Sequence, residues 1–105
     1  MNNQIIEIAI KMRQNSYAPY SKYKVGSAVE VISGEIIGGC NVESSSYGLT
    51  CCAERIAIYS AISRGFKDFK SIAVSTKNGG SPCGACRQVI WEVCGDITIY
   101  ICNNK

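Results

Sequence analysis

The chain has 105 residues, 47% of them hydrophobic and 18% charged, with a formal net charge of +3. This excludes a disordered segment, and the length holds one domain, residues 1–105, with a modest core. No Lys/Arg run marks a nucleic-acid footprint, and no apolar run is long enough to span a bilayer. Met1 to Arg13 lacks the apolar centre of a secretory signal, so a cytoplasmic location is expected.

The elements follow from periodicity. Ile5, Ile6, Ala9, Ile10 and Met12 fall on one side at helical spacing, opposite Gln4, Glu7, Lys11 and Gln14, which predicts a helix over 2–15. Tyr17-Ala18-Pro19 breaks it, because proline biases the preceding residue away from the helical region. Val25–Ile32 and Glu35–Val42 read as strands of a hairpin turning at Ser33-Gly34. A polar loop follows from Glu43. A second helix is expected over 52–64, stopped by Gly65, and a third strand over 71–75. The loop Asn78–Pro82 leads into a third helix over 84–94, stopped by Gly95, in which Trp91 is expected to pack. A fourth strand is expected over 97–102. Strand three, helix three and strand four form a βαβ unit with parallel strands. The fold class is therefore α/β, a mixed sheet of four strands with helices on both faces.

Seven cysteines stand at positions 40, 51, 52, 83, 86, 94 and 102, and there is no histidine. An odd count without a secretory signal argues against a disulfide framework. Cys40, Cys94 and Cys102 fall in apolar segments and are expected to be small core residues. Cys52, Cys83 and Cys86 each fall where a helix begins. The unpaired N–H groups and partial positive charge of a helix start favour the thiolate, the form that binds zinc. Three protein ligands on a tetrahedral Zn²⁺ leave one position open, which marks a catalytic site.

Three thiolates make the site electron-rich. Arg55 and Arg87, which directly follow Glu54 and Cys86, are expected to hydrogen-bond the sulfurs and draw off charge. Glu54 lies two residues past Cys52, off its helical face, so it can serve the substrate side without ligating. In a dry pocket its pKa should rise into a range useful for moving protons. A closed structural zinc site with Cys51 or Cys40 as fourth ligand would leave Glu54 unexplained. A thioredoxin-like pair at Cys83 and Cys86 would leave Cys52 unexplained. Zinc deaminases combine a leading Cys or His ligand, a nonligating Glu and a P-C-x-x-C run. Cys52-Ala53-Glu54 and Pro82-Cys83-Gly84-Ala85-Cys86 have that form.

Further blocks widen the match: Tyr17-Ala18-Pro19-Tyr20-Ser21, Val25-Gly26, Gly39-Cys40-Asn41-Val42-Glu43 and Ser81 to Gln88. In their order and spacing the chain resembles the small homotetrameric cytidine deaminases with three cysteine ligands. The resemblance implies a three-layer α-β-α fold, one Zn²⁺ per chain on Cys52, Cys83 and Cys86, and Glu54 as proton shuttle. It implies hydrolytic deamination of cytidine and deoxycytidine to uridine and deoxyuridine, as in pyrimidine salvage. Asn41 and Glu43 match the pair that holds the ribose hydroxyls. Ala53 matches the residue whose backbone meets the pyrimidine, and Tyr47 one that reaches a neighbouring subunit's nucleoside. Tyr23 stands where the family usually has a stacking phenylalanine, and it keeps the ring face.

The partners expected are a small nucleoside and other copies of the chain in a homotetramer, with no nucleic acid and no membrane. Family members usually continue with a fifth strand and a C-terminal helix, so strand four is expected to be an exposed edge unless another subunit covers it. The alternatives are a deaminase of another aminonucleoside and a noncatalytic zinc-stabilised binding module. Turnover of cytidine separates them.

Overall fold

The computed structural model describes residues 3–20, 22–43, 45, 51–76, 88–95 and 97–103. The apolar stripe at the start winds as α1 (Asn3–Met12), with Ile5 and Ala9 fully inward and Gln4, Glu7 and Lys11 outward. The last turn expected of this helix tightens into a 3₁₀ turn, Arg13–Asn15, before Ser16 turns extended. The hairpin forms as expected from β1 (Gly26–Val31) and β2 (Ile36–Cys40). Gly34, at φ 105°, closes its loop.

The second helix is α2 (Ala53–Ser63), with Cys52 as its N-cap residue. It ends in a Schellman motif: the Gly65 N–H donates to the Ile62 carbonyl and the Phe66 N–H to the Ala61 carbonyl, with Gly65 at φ 95°. Next come β3 (Phe69–Thr76) and β4 (Thr98–Asn103). Of the third helix, Ile90–Cys94 winds as a π-helix that Gly95 terminates, and the expected start over 84–87 lies outside the described residues. Ile90 takes the inward position there, so Trp91, expected to pack, is instead 68% exposed.

The sheet order is β2-β1-β3-β4. β1 is antiparallel to both β2 and β3, and β3 is parallel to β4. Strands β2, β3 and β4 therefore run one way and β1 the other. One core lies between the sheet and α2, joined by the third helix, around Val29, Val31, Ile58, Ile72 and Ile90. A smaller one lies under α1, around Ile5, Ala9, Ala28 and Ala73. Helices thus cover both faces. This explains why β3 is buried continuously from Ser71 to Thr76 rather than in alternation. Among the described strands β4 stands at one end of the order, with Ile99 and Ile101 40% and 45% exposed.

Strand glycines set how closely the helices approach: a Cβ on Gly26 would lie 2.0 Å from the Ala9 oxygen of α1, and Gly38 and Gly39 of β2 meet one helix each. Successive strand residues face opposite sides of a sheet. A Cβ on Gly38 would lie 2.7 Å from Met12 Cγ of α1. A Cβ on Gly39 would lie 2.5 Å from the Ala57 nitrogen and 2.7 Å from the Ala53 oxygen of α2. The absence of a side chain at Gly39 lets the first turn of α2 rest on the backbone of β2.

Candidate active site

The parallel run of β2 and β3 brings their carboxyl ends to one end of the sheet. Gly26, at the start of β1, pairs with Cys40 on one side and Ser75 on the other. The chain leaves β2 there toward α2, and it leaves β3 there toward Cys83, Cys86 and Arg87. Those three residues and Tyr47 lie outside the described residues. Open α/β sheets bind ligands at this end.

Three short segments are stitched together beside it. Val42 exchanges both main-chain hydrogen bonds with Cys51, each 2.9 Å. On its other side the Tyr17 N–H donates to the Asn41 carbonyl at 3.0 Å, and the Glu43 N–H to the Tyr17 carbonyl at 2.8 Å. Asn41 and Glu43 thus flank the residue that anchors the approach to α2. Cys51 and Cys52 follow at once, then Ala53, fully buried, and Glu54, 4% exposed in the first helical turn.

Arg55 lies one turn from Cys52, and its Nη2 donates to Cys52 Sγ at 3.7 Å. A guanidinium on the sulfur, at a helix start, suits a thiolate. Cys51 differs: burial pushes its thiol up, and the Arg55 charge offsets this only in part. Among the described residues no three Cys, Asp or Glu cluster closely enough to hold a metal. The donor chemistry of Cys52 nevertheless fits a thiolate ligand for zinc.

Asn41 and Glu43 are each already engaged. Asn41, 8% exposed, accepts at Oδ1 from Ser16 Oγ and from the Val25 N–H at 3.0 Å, and donates from Nδ2 to the Tyr23 carbonyl at 2.9 Å. Glu43 Oε1 accepts from the Tyr20 N–H at 3.0 Å. Both side chains hold the loop between α1 and β1 in place. Tyr23, in that loop, is 37% exposed and offers ring surface at this end of the sheet.

Sequence reasoning missed Ser16 and the separate tasks of Gly38 and Gly39. A pair of glycines inside a strand is itself a sign of close backbone approach. Nothing in the sequence points to Ser16. A cleft of about 370 Å³ lies at the hairpin end, lined by Val31, Ile32, Phe66 and neighbours. It holds Lys67 and Asp68 but no thiol and no buried carboxylate.

The likeness to known proteins follows this layout. The cytidine and deoxycytidylate deaminase zinc-binding region matches over residues 1–102. The chain is 47% identical over 105 residues to the cytidine deaminase of Sporosarcina psychrophila, covering 97% of this chain and 77% of that protein. It is 33% identical over 108 residues to the blasticidin-S deaminase of Bacillus cereus, covering 93% and 76%. The crystal structure of a cytidine deaminase from Burkholderia pseudomallei matches with a TM-score of 0.95 at 42% identity, over 100% of this chain and 87% of that one.

Proposed function

The chain belongs to the cytidine and deoxycytidylate deaminase family, and from that premise we propose that it hydrolyses cytidine and deoxycytidine to the uridines and ammonia in pyrimidine salvage. The observation that carries the reading is the buried Glu54 carboxylate, two residues from a Cys52 thiol that Arg55 supports. In this reading residues 1–105 act as one catalytic domain.

Cys52, Cys83 and Cys86 would hold zinc, with Arg55 and Arg87 drawing charge from the sulfurs. The chemistry such an ion supplies is activation of water for attack at neutral pH. Glu54 accepts a proton as water adds to C4 of the pyrimidine and delivers it to ring N3. It later moves a proton to the departing amino nitrogen, which leaves as ammonia, and the C4 oxygen becomes a carbonyl. Every proton gained is returned, so cytidine and water give uridine and ammonia. Burial of Glu54 supports this role, because a desolvated carboxyl exchanges protons near neutral pH more readily than a solvated one.

Asn41 and Glu43 would meet the sugar hydroxyls, Tyr23 would stack on the nucleoside and the Ala53 backbone would meet the base. Tyr47 would reach the nucleoside of a neighbouring subunit in a homotetramer. Exposed Tyr17, Tyr20 and Trp91 are the apolar surface expected of an assembling chain. The unbridged thiols of Cys40, Cys51 and Cys94 suit a reducing cytoplasm. No described helix is long and apolar enough to cross a membrane.

The likeness to a blasticidin-S deaminase favours a second reading, in which the substrate is another aminonucleoside. The decisive assay is the fall in ultraviolet absorbance when the protein meets cytidine. Turnover abolished by Glu54→Gln, with zinc retained, supports the first reading. Absence of turnover on cytidine and deoxycytidine overturns it.

A further inference from the structure

We infer that Ser16 is a positioning residue that makes Asn41 a hydrogen-bond donor only, so that Asn41 offers an incoming substrate a single N–H. The inference rests on the reading of Asn41 as a sugar-hydroxyl contact, and it adds a residue outside that set.

The accounting at the Asn41 amide is complete. Its carbonyl oxygen has two lone pairs and its nitrogen two hydrogens. The Val25 main-chain N–H can only donate, so the group facing it at 3.0 Å must be Oδ1. The Tyr23 carbonyl can only accept, so the group facing it at 2.9 Å must be Nδ2. These two backbone groups fix the orientation of the amide without further assumption. Ser16 Oγ then faces Oδ1 and must donate to it, with the Asn41 main-chain carbonyl a weaker acceptor at 3.4 Å. Both lone pairs of Oδ1 are filled, and one hydrogen on Nδ2 is spoken for. One N–H remains.

The arrangement also links Ser16 to the stacking surface. The same amide grips the chain on both sides of Lys24, through the Tyr23 carbonyl and the Val25 N–H. Arg13 Nε holds the Lys24 carbonyl at 3.3 Å from the other direction. Ser16 follows the 3₁₀ turn Arg13–Asn15, and its own N–H donates to the Arg13 carbonyl at 3.2 Å. Tyr23 and Asn41 are therefore held by one network that begins at the end of α1. Without the Ser16 hydroxyl, one lone pair of a largely buried oxygen has no donor. The amide keeps its orientation through Val25 and Tyr23 but is held by one hydrogen bond fewer, and its oxygen regains an acceptor site, so the N–H that meets substrate is less firmly placed.

Two measurements test this on the whole zinc-loaded chain. The first needs no substrate: hydrogen exchange of the Val25 amide, read by NMR. Ser16→Ala should speed that exchange about tenfold, and Ser16→Thr, which keeps the hydroxyl, should restore protection. The second is steady-state kinetics. With cytidine, Ser16→Ala should raise KM about five- to tenfold with kcat within about twofold, as expected for losing one ground-state hydrogen bond. Ser16→Thr should lie within about twofold of the parent. With 2′,3′-dideoxycytidine, which lacks both ring hydroxyls, the Ser16→Ala effect should shrink to less than about twofold. Unchanged Val25 exchange in Ser16→Ala overturns the inference, as does a Ser16→Thr variant that behaves like Ser16→Ala. An equal loss with both nucleosides also overturns it, because that is general loosening. A parent protein that does not turn over cytidine refutes the proposed function instead, and Val25 exchange still decides whether Ser16 sets the amide.

Discussion

Replacing Gly39 with alanine puts a methyl group where the backbone of α2 already sits. The new Cβ would lie 2.5 Å from the Ala57 nitrogen, 2.7 Å from the Ala53 oxygen and 3.0 Å from the Ala57 Cα. All three are main-chain atoms, so no rotamer change relieves the clash. The first turn of α2 must retreat by about 1 Å to restore ordinary contact, and overpacking of this kind costs about 1–3 kcal/mol. In a domain of this size that lowers the melting temperature by roughly 5–20 °C.

The same retreat moves Cys52 and Glu54, which ride on that turn. Misplacement of catalytic groups by about 1 Å can cost on the order of 100-fold in rate. Gly38→Ala is the internal control, because its clash, 2.7 Å from Cγ and 2.9 Å from Sδ, is with the flexible Met12 side chain on the opposite face. It should cost less than about 1 kcal/mol and leave kcat/KM within about threefold. Thermal unfolding and cytidine turnover of both variants make the assay. A Gly39→Ala protein with parental stability and activity, or a Gly38→Ala protein equally impaired, would refute the packing argument.

Glu54→Gln should lower kcat by about 10²–10⁴-fold with zinc content and melting temperature near the parent's; loss of metal or fold would show a structural role instead. Arg55→Ala removes the donor 3.7 Å from Cys52 Sγ and should weaken zinc binding by about 10–100-fold in competition with a chromogenic chelator. Cys94 is half-buried, and that burial pushes its thiol up to about 11 from the ordinary 9.0. The folded protein thus holds this proton longer than the unfolded chain does. Its contribution to stability is whole below pH 9.0 and is lost as pH rises toward 11. The urea midpoint of the parent should fall further between about pH 8 and about pH 10.5 than that of Cys94→Ala, and equal falls would refute the assignment.

Periodicity, punctuation and cysteine spacing determined most of the architecture. The stripe of Ile5, Ala9 and Met12, the turn at Gly34 and the stops at Gly65 and Gly95 are local signals whose physics is complete within a few residues. The parallel β3–β4 pair follows from the long connection with its helical segment, which can carry the chain back to the start of a parallel neighbour. The motif Cys52-Ala53-Glu54 could likewise be read from the chain, because a thiol and a carboxylate at a helix start have a definite chemistry. Tertiary structure alone decided the rest. In the sequence Asn41 and Glu43 only match a pair that holds ribose hydroxyls, yet both side chains also bond the segment between α1 and β1, a contact set by partners far along the chain. Gly38 and Gly39 are alike in sequence, and only the sheet's position between two helices gives one to α1 and the other to α2. Trp91 fits a helical pattern, but periodicity cannot say which of two adjacent apolar residues meets the core, and Ile90 took that place. Hydrogen bonds and packing across the sheet depend on which distant segments meet, and no local pattern carries that information.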